Sequence, residues 1–201
     1  MPVEVTRSPV LLETARLRVL LPPVDLAARC AAYVTRNREH LTPWEPPRTD
    51  AFYTEEFWRE RLLADHEDLA ADRALRLVVQ RRRDPEGEVI GFCNFNQFVR
   101  GAFHAATLGY SLDQRAVGQG VMFEALEAAL AYMFHELGFH RVMANYLPYN
   151  ERSGRLLRRL GFVVEGYARD YLFIHGAWRD HILTALTSPD PRPPGSAHPA
   201  R

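Results

Sequence analysis

The chain has 201 residues, which fits one domain with a sizeable core and short ends. Its 25 basic and 25 acidic residues cancel, so no global field draws in nucleic acid or an anionic membrane. Every basic residue is Arg, and without Lys neither Schiff-base catalysis nor an ordinary P-loop nucleotide hydrolase is open to it. Cys30 and Cys93 match no zinc spacing and make no disulfide framework. No apolar run reaches the roughly 18 residues of a membrane span. Met1-Pro2-Val3-Glu4 lacks the basic start of a signal peptide. The expected setting is cytoplasmic and reducing.

In chain order, residues 1–9 are expected to be loose, and Leu17–Leu20 is strand-like. Val24–Asn37 reads as helix. His40–Asp50 reads as loop because of Pro43, Pro46 and Pro47, and Thr54–Ala71 as helix with Thr54 at its N-cap. Leu75–Gln80 and Val89–Phe98 flank the turn signal Asp84-Pro85-Glu86-Gly87 and form a hairpin. The adjoining Arg81-Arg82-Arg83 reads as its solvated end. Phe103–Leu112 is the next strand. Met122, Ala125, Leu126, Ala129, Leu130, Met133 and Leu137 recur at the helical period over Gly120–Leu137, and Gly138 ends that helix. Arg141–Leu147 is a strand and Asn150–Leu160 a helix stopped by Gly161. Two strands follow, near Phe162–Arg169 and Trp178–Leu186. The proline-rich stretch 188–201 reads as a disordered tail, which leaves 10–187 as a single α/β domain.

The strongest chemical signal is the run Tyr110, Ser111, Leu112, Asp113, Gln114, Arg115, Ala116, Val117, Gly118, Gln119, Gly120, Val121. A strand enters a loop with two glycines, and a helix starts there. Unpaired N–H groups and the helix dipole make a helix start receptive to anions, and glycine lets an anion approach the backbone. The run is thus a candidate phosphate cradle that needs no lysine; it is equally a plain strand-to-helix turn. Asn150 and Ser153 open the later helix, where Asn150 also reads as a simple N-cap.

Arg115-x-x-Gly118-x-Gly120 resembles the R/Q-x-x-G-x-G/A signature of the GNAT N-acetyltransferases. Four further stretches are similar to the ribosomal-protein-alanine N-acetyltransferase branch of that family. They are Leu41–Pro46, Val99–Ala105, Met143–Gly154, and Glu165–Leu172 continuing into Gly176–His181. The resemblance spans about residues 11–187. It implies a mixed, mostly antiparallel splayed sheet flanked by helices, and direct transfer of an acetyl group from acetyl-CoA to a protein N-terminal amine, without metal. It implies as acceptor an N-terminal Ala of a small-subunit ribosomal protein, and with it contact with the small ribosomal subunit.

Carried residue by residue, the resemblance assigns donor binding to Tyr110–Leu112, Arg115–Val121, Asn150 and Ser153, with Ser153 near the thioester sulfur. For the general base Asp170 is the candidate, with Glu165, Glu45 and Asp180 as competitors. Trp44 and Glu45 are expected on one wall of the acceptor pocket, and Arg100, Phe103 and His104 on the other. An α-amine with pKa near 7.7–8.0 is roughly a quarter neutral at physiological pH, whereas a lysine side chain is neutral about one part in a thousand. A modest base therefore suffices. Acetylation of a small-molecule amine and a non-catalytic ribosome-assembly role are the alternatives.

Overall fold

A computed structural model describes residues 10–84 and 86–190. The expectations for residues 1–9 and for 191–201 lie outside the described residues. Eight strands form one sheet: β1 (Leu11–Glu13), β2 (Leu17–Leu20), β3 (Leu75–Arg81), β4 (Val89–Val99), β5 (Ala105–Leu112), β6 (Arg141–Met143), β7 (Val163–Ile174) and β8 (Ala177–Thr187). The helices are α1 (Ala27–Arg36), α2 (Arg38–Leu41), α3 (Glu55–Ala70), α4 (Val121–His135) and α5 (Glu151–Arg159). The spatial order is β1-β2-β3-β4-β5-β6-β8-β7, and every pairing is antiparallel except β5 with β6.

The sheet buries both faces. One face packs on α4 and α5: Val121, Met122, Ala125, Leu126, Ala129 and Met133 meet Leu77, Val79, Cys93, Phe95, Ala106 and Leu108. The other packs on α1 and α3, where Tyr33 and Trp58 close over Phe92, Trp58 stacked at 5.2 Å and Tyr33 edge-on at 5.0 Å. Alternation along β3 and β4 sends successive side chains to opposite faces, so these strands read as nearly continuous apolar runs. Thr54 caps α3 by accepting from the Phe57 N–H at 3.3 Å.

Several elements differ from expectation. Residues 40–50 are not plain loop: α2 ends inside them at Leu41 and a helical turn follows at Thr42–Trp44, where Pro43 is tolerated because a first helical turn needs its missing N–H least. The strand expected at 141–147 stops at Met143 and returns only as one bridge, Tyr146 to Ile182. The strand expected at 162–169 runs on to Ile174 through an irregularity between Ala168 and Leu172. That irregularity breaks the period-two pattern while the ladder continues. β5 starts at Ala105 rather than Phe103, because Gly101 and His104 have φ of 71° and 47° and make a turn.

Candidate active site

β5 is paired with β4 along its length but with β6 only over Ala105–Thr107 against Arg141–Met143. Beyond Thr107 the two strands part. The β6-facing edge of Leu108–Leu112 is therefore left with free main-chain groups at the centre of the sheet, the arrangement a ligand with amide groups needs.

The loop after β5 leads from that edge to the start of α4. Gly118 and Gly120 have φ of 81° and 73°, a region that L side chains rarely occupy. Gly120 is the N-cap of α4 and no side chain caps it, so the first-turn N–H groups remain available to an anion. Asp113 folds the loop. It is buried and accepts from the Arg115 N–H at 2.8 Å, Arg115 Nε at 3.1 Å and Arg36 Nε at 2.8 Å. Burial opposes its charge, yet these hydrogen bonds hold its carboxyl well below the usual carboxylate range. Arg115 also pairs with Glu88 at 3.0 Å. Its guanidinium thus braces the loop from behind.

Two residues of this region gave no motif signal. Arg16, in the β1–β2 turn, donates from Nη1 to the Gln119 carbonyl at 3.0 Å and from Nε to Glu124 at 2.6 Å. Arg81 donates to Gln119 Oε1 at 2.8 Å, so the arginine run is more than a solvated hairpin end. Glu124 would place a negative charge in the first turn of α4. Against a burial cost, Thr14 and Arg16 bind its carboxylate and hold its pKa low. Only a basic residue folded back from another element reveals this brace, and no local spacing encodes it.

Side chains of β5 build one hydroxyl pair on each face. Tyr110 Oη lies 2.6 Å from Ser153 Oγ, and burial pushes the Tyr110 pKa up to about 12. Asn150 Oδ1 accepts from the Ser153 N–H at 3.1 Å, so Asn150 caps α5. Gly154 lets α5 approach the Tyr146 ring; a Cβ there would lie 2.9 Å from it. Ser111 points to the opposite face, where its Oγ accepts from Tyr33 Oη at 2.9 Å.

On this second face lies a cavity of about 140 Å³, lined in part by Tyr33, Glu45, Trp58, Phe92, Asn94 and Ser111. Glu45 is paired with Arg48 at 3.3 Å. The neighbouring Trp44 reaches Tyr149 with ring centroids 6.0 Å apart, and so joins the turn after α2 to the segment leading into α5.

The candidate bases separate clearly. Glu165 is held by Arg141 at 2.7 Å. Asp180 accepts from the Asp170 N–H at 2.9 Å and from Tyr167 Oη, so it braces the β7 irregularity. Asp170 sits in that irregularity, exposed, with φ of 47°. Its neighbour Tyr171 accepts from Asn145 Nδ2 at 3.0 Å, just beyond the end of β6.

Arg100 and His104, expected on the second wall of an acceptor pocket, are not among the residues lining this cavity. Arg100 binds Asp72 at 2.6 Å and the Leu137 carbonyl at 3.0 Å, and lies 3.8 Å over the Phe139 ring. His104 packs at Phe139 beside it. They lock the β4–β5 hairpin to its neighbours, at the end of β5 remote from the Gly118–Gly120 loop. Phe103 remains exposed in the same turn.

Comparisons agree with this architecture. An acetyltransferase (GNAT) domain family matches residues 16–163. The chain is 50% identical over 180 residues to the [ribosomal protein uS5]-alanine N-acetyltransferase of Escherichia coli, covering 89% of this chain and 91% of that one. It is 36% identical to the probable N-acetyltransferase YjcK of Bacillus subtilis, covering 78% of this chain and 85% of that one. Among solved structures, ribosomal-protein-S5-alanine acetyltransferase from Vibrio fischeri superposes with a TM-score of 0.87 at 42% identity, covering 92% of this chain and 100% of that one. Mycobacterium smegmatis RimJ, in complex with CoA-disulfide, does so with 0.80 at 27%, covering 90% and 87%. With an uncapped helix start, a parted central strand pair and these relatives, the chain belongs to the GNAT acetyltransferase family.

Proposed function

We propose that this protein transfers the acetyl group of acetyl-CoA to the α-amine of an N-terminal alanine, with a small-subunit ribosomal protein of the uS5 type as acceptor. The observation that carries the acceptor is the 50% identity, over nine-tenths of both chains, to an enzyme of that description. The donor fits the residues present. The α4 N-terminus with Gly118 and Gly120 suits a diphosphate, and the free edge at Leu108–Leu112 suits the pantetheine amides.

Transfer is direct: the neutral amine attacks the thioester carbon, and the C–S bond breaks as the thiolate leaves. Main-chain N–H groups of the free β5 edge meet the developing oxyanion. Ser153, polarised by Tyr110, donates toward the departing sulfur. Asp170 accepts the amine proton through water. A cysteine acyl carrier is disfavoured, since Cys30 and Cys93 are buried and burial pushes both thiols up to about 12.

Acetyl-CoA turnover followed by mass spectrometry tests this, with an alanine-initial peptide beside an N-terminally blocked twin carrying an internal lysine. Acetylation of the free N-terminus alone is expected. Turnover of neither peptide, with acetyl-CoA bound, would shift the acceptor to a small-molecule amine. Asp170→Asn is expected to lower kcat by about 10²-fold; unchanged turnover removes Asp170 as base.

A further inference from the structure

One residue that lines the cavity faces a glycine across a ladder. Asn94 on β4 and Gly109 on β5 are register partners, so their side-chain positions share one face. Asn94 lines the cavity beside Ser111 and Glu45. Gly109 brings no side chain, and a Cβ there would meet nothing within 4 Å. The last β5–β6 pair is at Thr107, so Gly109 lies where the central strands part. Open space, a free strand edge and a side-chain amide therefore converge at one point.

The charged groups around this point are already paired. Arg48 holds Glu45 at 3.3 Å, Arg61 holds Asp65 at 2.8 Å, and Arg76 holds Asp65 at 2.9 Å. Asn94 is different: the side-to-main-chain bond at this residue is made by its carbonyl, which accepts from Asn96 Nδ2 at 3.4 Å. Among the described residues its own amide is uncommitted.

We propose that Asn94 anchors the acceptor's first residue, Oδ1 accepting from the α-amine and Nδ2 donating to the first peptide carbonyl; this rests on the peptide-acceptor reading above. A primary amide matches that donor–acceptor pair. Its neutrality matters as much as its shape. A carboxylate at this position would favour the ammonium form and raise the amine's pKa, and an ammonium has no lone pair with which to attack. An amide orients the amine without holding it protonated. The missing side chain at Gly109 leaves room for the acceptor beside it.

The test uses the full chain and two readouts. In wild type, the acid limb of the kcat–pH profile reports the bound amine and its base. Asn94→Asp is expected to move that limb up by about one pH unit. A purely structural role for Asn94 would leave the limb in place. The second readout is affinity for a conjugate in which an alanine-initial peptide is joined through its acetyl group to the CoA sulfur. Wild type is expected to bind it at least about tenfold more tightly than CoA, and Asn94→Ala to lose most of that gain with CoA affinity unchanged. If wild type binds the conjugate no better than CoA, the peptide-acceptor reading falls and the Asn94 assignment with it. If wild type shows the gain and both variants keep it, with the limb unmoved, the Asn94 assignment alone is overturned. Should the Asn94 variants fail to fold, Gly109→Ala carries the test. Its methyl enters open space and is expected to cut the ratio of conjugate affinity to CoA affinity at least about tenfold; an unchanged ratio overturns the assignment.

Discussion

The two faces of β5 offer a ligand different things. On the α4 side the loop presents main-chain N–H groups, and what matters is conformation: two glycines at positive φ and an uncapped helix start. On the α1–α3 side the cavity presents side chains drawn from different elements, such as Glu45, Asn94 and Ser111, and what matters is identity. A site made of backbone tolerates sequence change wherever the backbone path is kept. A site made of side chains changes its preference with one substitution. On the proposed function, the first face would meet the donor common to a family, and the second the acceptor that separates its members.

Asp113 joins the faces, taking Arg36 and Asn37 from the α1 side and Arg115 from the loop. Breaking it is the severest test. Asp113→Asn is expected to cost about 3 kcal/mol at neutral pH, because partners built around a buried charge lose it, as read by denaturant unfolding. Its folded-state pKa is depressed, so its contribution is full above the unfolded value near 3.9 and is lost as pH falls through the folded one. The gap between wild type and variant should therefore shrink only below about pH 4.

Gly120→Val addresses the main-chain face alone. A β-branched residue at φ 73° is strained by about 1–3 kcal/mol, and the loop must shift to relieve it. Acetyl-CoA affinity, measured by calorimetry, should drop about a hundredfold, equivalent to the upper part of that strain. Retained affinity would mean that loop conformation is not what binds the donor. Gly154→Val tests the packing that sets Ser153: with Tyr146 2.9 Å from the new Cβ, overpacking should cost about 1–3 kcal/mol and lower Tm. The smallest effect is expected from Arg16→Ala. An exposed brace contributes modestly, so KM for acetyl-CoA should rise about fivefold while peptide KM and kcat stay close to wild type.

The same contrast explains what could be read from the sequence. The Gly118–Gly120 loop, the α4 periodicity and the Thr54 and Asn150 caps were legible because each is a local pattern with a local cause. The early end of β6 was not. Val142 and Leu147 are both buried, so the apolar pattern runs on where the ladder stops. The contacts of Arg100 and His104 were not legible either, because their partners Asp72, Leu137 and Phe139 lie far along the chain. Arg16 and Asn94 stayed silent for the same reason: one is defined by Gln119 and Glu124, the other by a glycine it faces across a ladder.

The irregularity in β7 has a second consequence. β7 is the last strand of the sheet, twelve residues long, and it exposes Val163, Val164, Leu172 and Phe173. A straight apolar edge of that length invites another chain to add a strand. The kink between Ala168 and Leu172 interrupts it, with the Asp180 carboxylate bound to the Asp170 N–H there. The bend that turns Asp170 outward thus also guards the edge against self-association, so a mutation that straightens it should be penalised by aggregation before any loss of turnover is seen.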